Sequence, residues 1–192
     1  MNLEQTSPPS VEPVATSVMK DWMRVDASDE DTLIGSLAAA ARSYFEMSTR
    51  RQLITATWVY KITDFPAGEI VLPISPVQSV THIKYYDNDD SLQTWTASDY
   101  VLDKSSTPAR IRPAANKDYP SDNRGEPYDI AITFVAGYGD AATDCPDGAL
   151  TAIKLLAANW FENRESNAPI TLTPVPMALD ALMLQFWDGT VT

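Results

Sequence analysis

Residues 146–165 read PDGALTAIKLLAANWFENRE, and this stretch decides the fold. Its apolar residues recur at the three- and four-residue spacing of a helix with one buried face. They are Leu150, Ile153, Leu156, Ala157, Trp160 and Phe161. Pro146 suits the first helical position, because the N–H that proline lacks would have no partner there. The apolar face is too wide to stay in water, so the sequence predicts a second helix that covers it.

That second helix is predicted within residues 28–51, SDEDTLIGSLAAAARSYFEMSTRR. Ser28 and Asp31 resemble a capping box, with Asp in place of the usual Glu. Small residues between Ala38 and Ala41 allow another helix to approach closely. We therefore predict that the two long amphipathic helices pair through Leu37, Ala41, Tyr44, Leu150, Ile153, Ala157 and Trp160.

Two shorter helices are predicted near the ends of the sequence. Thr16 or Ser17 would cap the first, which runs roughly over residues 18–24 and would bury Val18, Met19, Trp22 and Met23. The second begins at Pro176, and its apolar residues are Leu179, Leu182, Met183, Phe186 and Trp187. An aromatic residue such as Trp187, near a chain end on a short helix, is typical of an interface anchor.

Residues 53–135 change to the two-residue period of strands. Strands are predicted at residues 56–62, 69–72, 79–86, 92–95, 100–102, 110–112 and 130–134. Residues 87–90 form a turn, and residues 113–127 form a polar loop. The sequence thus predicts an α+β fold, a small helical bundle with an inserted antiparallel β subdomain. Its parts are an extended arm at 1–15, a helical core at 16–52 and 145–165, the β subdomain at 53–144, and a C-terminal segment at 166–192.

Composition narrows the classes of function. The chain has 192 residues, one cysteine and a formal net charge of −12, with the excess of acid spread along the sequence. A single cysteine excludes an internal disulfide and fits folding in a reducing cytosol. No apolar run reaches the length of a membrane span, and the first residues lack the pattern of a signal peptide. An acidic surface repels phosphate, which disfavours tight nucleic-acid binding.

Residues that could carry chemistry are few and isolated. His82 has no second histidine for a zinc pair and no nucleophile beside it, and Cys145 has no general base in view. The acids at 87–90 fail as a calcium loop, because the sixth and twelfth positions are Leu92 and Ser98. Glu162 and Glu165 lack the Glu-x-x-His partners of a carboxylate metal site. We predict no cofactor, metal site or catalytic site.

Several stretches, taken in order, resemble the head–tail connector (adaptor) proteins of tailed double-stranded-DNA phages and gene transfer agents. They are PPSVEPVATSVMKDWMRVD, DEDTLIGSLAAAARSYFEMSTRRQLITATW, LPISPVQSVTHIKYYD, ITFVAGYGD, PDGALTAIKLLAANWFENRE and VPMALDALM. The resemblance covers nearly the whole chain. The polar tract at residues 116–126 departs from it, since that tract is usually shorter in the family.

The resemblance implies a structural protein of the virion neck, made in the cytoplasm of the host bacterium and not associated with a membrane. It implies a ring of twelve copies below the portal protein, which a stopper or tail-terminator ring would meet on the opposite face. Double-stranded DNA would pass through the channel without tight binding. The portal interface would comprise Met177, Leu179, Leu182, Met183, Phe186 and Trp187, with the tail at 189–192.

Two other classes of function remain open at this point. In the first, the chain is a β-rich binding module, associated with carbohydrate or a tail fibre, whose exposed Trp95, Tyr100 and Tyr119 line a groove. In the second, acids such as Asp87 and Asp140 carry out a hydrolysis.

Overall fold

The structure, a computed structural model, describes residues 2–163 and 177–187. Within these residues the α-helices are α1 (Thr16–Met23), α2 (Asp31–Thr49), α3 (Asp147–Glu162) and α4 (Met177–Leu184). The strands are β1 (Asn2–Ser7), β2 (Ala56–Ile62), β3 (Ile70–Val71), β4 (Val77–Tyr86), β5 (Leu92–Trp95), β6 (Tyr100–Asp103), β7 (Arg110–Pro113) and β8 (Ile130–Ala136). Helices and antiparallel sheets occupy separate stretches of the chain, which confirms the α+β class.

The chain divides into two compact units. The helical unit comprises Ser10–Ile54 and Gly139–Thr192, and the β unit comprises Met1–Pro9 and Thr55–Tyr138. In the order of the sequence, therefore, most of the β unit is inserted between the two parts of the helical unit.

The described strands of the β unit form two antiparallel sheets. One has the order β1-β2-β8-β4-β5, and the other has the order β3-β7-β6. Strand β8 lies at the centre of the larger sheet, and its burial alternates along the strand with the period of two that a sheet requires. Ile130, Ile132 and Phe134 are fully buried there, and they pack in one core with Ile83 of β4 and Ile111 of β7.

The segment predicted as an extended arm at 1–15 contributes a strand to this sheet. Residues 2–7 pair antiparallel with β2, from Asn2 opposite Lys61 to Ser7 opposite Thr57. The side chain of Leu3 packs against the core, whereas its neighbours in the strand are exposed. With one apolar residue in six, the stretch has no alternation from which a strand could be predicted.

In the helical unit, α2 and α3 pack against each other. Their buried residues are Ile34, Ala38, Ala41 and Phe45 on α2, and Ala149, Ala152, Ile153, Leu156 and Ala157 on α3. Of the residues predicted for the core of this pair, Ala41, Ile153 and Ala157 are buried, and Leu37, Leu150 and Trp160 are partly buried. Tyr44 is exposed and meets Trp160 edge-on at the rim.

The starts of the helices differ from the sequence predictions. Glu30 is the N-cap of α2 and no side chain caps it, so the capping box predicted at Ser28 is wrong. The Asp31 carboxylate instead forms a salt bridge of 2.6 Å with Lys20 of α1. Pro146 is the N-cap of α3 and not its first residue.

The buried side of α1 is narrower than predicted. Met19 is fully buried, whereas Val18 and Trp22 are about half exposed. Lys154 of α3 places its ammonium 5.0 Å from the centre of the Trp22 ring, a cation–π contact that accounts for the position of this exposed indole. A helix of two turns has room for few core residues, so its other apolar side chains stay at the surface. The predicted link at 166–174 and the tail at 188–192 lie outside the described residues.

Candidate interaction surface

Helix α4 is attached to the helical unit by contacts near both of its ends. Leu179, in its first turn, is 1% exposed. Beyond its last turn, the Phe186 ring packs edge-on against Phe45 of α2, with ring centres 5.4 Å apart. A Cβ at Gly148 would lie 3.4 Å from the Phe186 ring, so the glycine leaves room for this ring beside α3. These contacts fix the position of the surface that α4 presents.

An open cleft of ≈360 Å³ lies between α2 and α4. Its lining residues are Tyr44, Ser48, Thr49, Asp180, Met183, Leu184 and Trp187. Leu184 is 63% exposed and Trp187 is 48% exposed, and Met47 of α2 is also strongly exposed. Large apolar side chains grouped around a cleft are typical of a protein–protein interface, and a tryptophan is a frequent anchor in one. We call Tyr44, Met183, Leu184 and Trp187 the apolar cleft residues.

Four of the residues predicted to contact the portal fall into two groups, those that pack against the helical unit and those that line the cleft. Leu179 and Phe186 face the helical unit itself, Leu182 is partly buried, and Met177 is the first residue of α4. Met183 and Trp187 line the cleft. Leu184 was missed, because the spacing argument selected a single face of the helix. The signal was nevertheless present, since the sequence MALDALML is apolar on more than one face.

A partly buried carboxylate, that of Glu46, fixes the end of α2. Glu46 accepts hydrogen bonds from the Leu53 backbone N–H at 3.0 Å and from the Gln52 amide at 2.9 Å, and it pairs with Arg42 at 2.7 Å. Burial raises the pKa of Glu46, and the hydrogen bond from Leu53 and the charge of Arg42 oppose that effect. Arg42 also binds Glu12 through two nitrogens, at 2.8 and 3.2 Å. The network closes the turn that leads the chain out of α2, and it is absent from the sequence prediction.

The aromatic residues of the β unit form a cluster that is largely internal. Trp95 is 5% exposed, and its ring lies 5.0 Å from Tyr100 and 5.3 Å from Tyr119. The Tyr119 hydroxyl donates a hydrogen bond of 2.7 Å to the carbonyl of Gly68. Burial raises the pKa of both tyrosines. The indole predicted as an exposed groove residue therefore belongs to the core, and the binding-module hypothesis loses its central aromatic surface.

The long polar tract before β8 is held by charged groups. The Arg124 guanidinium binds both carboxylate oxygens of Asp129, at 2.9 and 2.6 Å, and lies over the Tyr86 ring at 5.1 Å. The hydrogen bond from Arg124 lowers the pKa of Asp129 and raises that of the guanidinium. The Asn123 amide donates to Asp64 at 3.1 Å. This tract is thus anchored to β4 and to the loop after β2.

The residues that the sequence offered for chemistry make contacts that hold the fold together. His82 Nε2 lies 3.1 Å from the Thr133 hydroxyl across the β4–β8 pair, and burial lowers its pKa. The Asp87 carboxylate accepts hydrogen bonds from the Asp89 and Ser91 amides and from Gln93, which holds the turn between β4 and β5. Burial raises the pKa of Cys145 to about 11.

In the part of the chain that the structure describes, no group of three or more His, Cys, Asp or Glu side chains is arranged to hold a metal ion. None of the helices described is both long enough and apolar enough to cross a bilayer.

No protein-family model matches this sequence, and no curated protein matches it. Several solved structures, in contrast, are similar to this chain. The chain is similar to one in the neck of an empty gene transfer agent particle computed with C6 symmetry, at 24% identity and a TM-score of 0.82. It is also similar to one in the virion of a native gene transfer agent particle, at 23% and 0.83, and to one in the neck of a native particle computed with C12 symmetry, at 22% and 0.79.

Each of these matches covers 100% of this chain and 98% of the other chain. At this level of identity the likeness establishes the fold. Both the helical unit and the β unit therefore have counterparts in a single chain of a particle neck or virion.

Proposed function

We propose that this chain is a head–tail connector subunit in the neck of a tailed phage or a phage-like particle. Twelve copies form a ring below the portal protein, and in each copy the four helices form a small bundle. The role is structural and not catalytic. The observation that carries this proposal is the fold likeness over the full length of chains that belong to gene transfer agent necks.

The apolar cleft residues are the best candidate for the portal contact. Three of them, Tyr44, Leu184 and Trp187, expose large side chains that a partner can cover, and the packing of Phe186 on Phe45 holds the end of α4 beside α2. The tail at 189–192, which lies outside the described residues, is proposed to belong to the same contact. On the β unit, exposed residues would contact a neighbouring subunit or the stopper or tail-terminator ring on the other face. A ring requires a head-to-tail contact between unlike surfaces, whose rotation closes after a fixed number of copies.

The net charge of −12 fits a ring through which DNA passes during packaging and ejection. Each lysine or arginine held against a phosphate releases counterions and adds binding free energy, which would slow the movement of DNA. An excess of carboxylates keeps the channel wall from binding DNA. The ring would therefore occupy the neck of the virion and form a passage for the nucleic acid.

Two tryptophans allow a matched test of the portal contact. Trp187 lies at the cleft and is 48% exposed, whereas Trp22 lies on α1 and is 46% exposed. If the cleft meets the portal, Trp187→Ala should weaken binding to portal-containing heads about thirtyfold, the size of an interface hot spot. Trp22→Ala should bind normally. Co-sedimentation with heads measures the binding. Equal binding of both variants and the wild type would show that the cleft is not part of the portal interface.

A further inference from the structure

Strand β5 is the last strand of the larger sheet, and its outer edge has no partner among the described strands. The Asp87 amide donates to the Ser91 carbonyl at the start of the β4–β5 hairpin. In an antiparallel ladder, pairs that exchange hydrogen bonds alternate with pairs that do not. Gln93 and Trp95 therefore turn their backbone groups toward β4, and Leu92 and Thr94 turn theirs outward. Among the described residues, no backbone group hydrogen-bonds to the outer side of Leu92 or Thr94.

A groove runs beside this edge. It has a volume of ≈490 Å³ and is lined by Thr94–Thr96 and by residues 118–122, together with Tyr85 and Asp99. Proteins usually block an open strand edge with a charged residue, a proline or a bulge. Strand β5, with the sequence LQTW, has no charged residue, proline or bulge, and only its length of four residues limits pairing at this edge. At the opposite edge of the sheet, β1 carries Glu4 and an irregular register between Gln5 and Ser7, which are features that block pairing.

The groove is acidic. Three of its lining residues are Asp99, Asp118 and Asp122, and Asp99 is paired with Lys117 at 3.2 Å. In the residues that the structure covers, Asp118 and Asp122 form no ion pair with a lysine or arginine. A segment that pairs with Thr94 would place every second side chain on the same face, within reach of these carboxylates. Lysine or arginine at those positions would form charge-assisted hydrogen bonds.

We propose that β5 and this groove bind an extended, lysine- or arginine-bearing segment of a partner protein by strand addition. The backbone of the segment would pair with Leu92 and Thr94, and its cationic side chains would meet Asp118 and Asp122. This proposal does not rest on a role in a particle neck, since it follows from the sheet edge and the charges beside it.

The ligand is a partner protein and not a second copy of this chain. Every described strand that contains a lysine or arginine is already paired on both sides, with Lys61 in β2, Lys84 in β4, and Arg110 and Arg112 in β7. The edge strand β1 contains Glu4 and no cation. The described part of another copy thus offers no free basic strand.

A fluorescein-labelled peptide of alternating lysine and valine tests the backbone pairing by fluorescence anisotropy. Thr94→Pro removes one outward N–H, and proline is tolerated at a sheet edge, so the fold is retained. We expect this variant to bind the peptide about tenfold more weakly than the wild type, which corresponds to about 1.4 kcal/mol. Thr94→Val keeps the N–H and is the matched control. Wild-type affinity in Thr94→Pro, with circular dichroism unchanged, would overturn the proposal.

The charge requirement has its own test with the same probe. Asp118→Asn combined with Asp122→Asn should weaken binding and flatten its dependence on salt, whereas Asp140→Asn on the helical unit should change neither. A peptide with glutamate in place of lysine should not bind. No binding of the lysine peptide to the wild type, or equal binding of both peptides, would contradict a cationic ligand. Self-association that Thr94→Pro abolishes would instead identify a second copy as the occupant.

Discussion

Arg51, two residues beyond the end of α2, donates a hydrogen bond of 2.9 Å to the backbone carbonyl of Phe186. The same residue, Phe186, packs its ring on Phe45. The segment after α4 is thereby joined to α2 through both its backbone and its side chain. Because Leu179 is also buried, removal of α4 would expose core residues, and point variants are the better probes of this surface.

Phe186→Ala should destabilise the helical unit by about 1–3 kcal/mol, because the ring contact with Phe45 and part of its burial are lost. Leu184→Ala is the matched control in the same segment, and it should change stability by less than about 0.5 kcal/mol, because Leu184 is 63% exposed. Urea unfolding followed by circular dichroism measures both. Similar losses from the two variants would mean that α4 is not docked through Phe186.

Gly139→Ala should destabilise the protein by about 1–3 kcal/mol, the usual effect of overpacking. A Cβ at this position would overlap the side chain of Asp144, whose carboxylate accepts a hydrogen bond from the Ala141 amide at 3.0 Å. Gly68→Ala is the control, since nothing lies within 4 Å of a Cβ there. Thermal unfolding distinguishes the two, and an unchanged midpoint for Gly139→Ala would contradict the close approach of Asp144 to Gly139.

Asp129→Asn should lower the free energy of unfolding most at neutral pH. The pKa of Asp129 is below its usual value of 3.8 in the folded state, chiefly because of the hydrogen bond from Arg124. A lowered carboxyl pKa stabilises the fold above the unfolded pKa, and this contribution disappears as the pH falls through the folded pKa. The difference between wild type and variant should therefore shrink below about pH 4.

Unfolding of both proteins between neutral and acid pH checks this. Asp89→Asn, in the exposed turn after β4, serves as the control and should have only a small effect on stability. A wild-type advantage over Asp129→Asn that stays constant down to acid pH would argue against the ion pair.

Cys145 should react slowly with iodoacetamide in the folded protein. Its side chain is buried, and burial, followed by the charges of Asp144 and Glu46, raises its pKa to about 11. At pH 8 the reactive thiolate is then scarce, whereas in urea the thiol returns to an ordinary pKa and labels readily. Mass spectrometry of the alkylated protein measures the rate, with Cys145→Ser as the blank. Rapid labelling of the native protein at pH 8 would contradict this placement of the cysteine.

Periodicity predicted much of the fold, because a buried strand and a buried helix face impose different spacings on apolar residues. Strands β2 and β5 begin and end as predicted, and α3 begins one residue after the expected start. Spacing could not predict β1, whose only core residue is Leu3, since its pairing with β2 depends on residues fifty or more positions away.

The candidate surface was harder to predict, because burial depends on which neighbours a side chain meets. Nothing local distinguishes Glu46, which is partly buried and held in a hydrogen-bond network, from a solvated helix carboxylate. From its place in the sequence, Trp95 could be an exposed aromatic residue of a strand. It is buried because the rings of Phe65, Tyr100 and Tyr119 pack around it. The outward backbone groups of Thr94 follow from the register of β4 and β5, which the sequence does not specify.

The central claim is that copies of this chain form a ring that joins the portal. Electron microscopy of the purified protein, alone and mixed with the portal protein of its own particle, tests that claim most directly. We predict class averages in the mixture that show a twelvefold ring stacked coaxially on the portal. Particles in which the portal remains bare while this protein stays monomeric, at concentrations well above those in an infected cell, would contradict the claim.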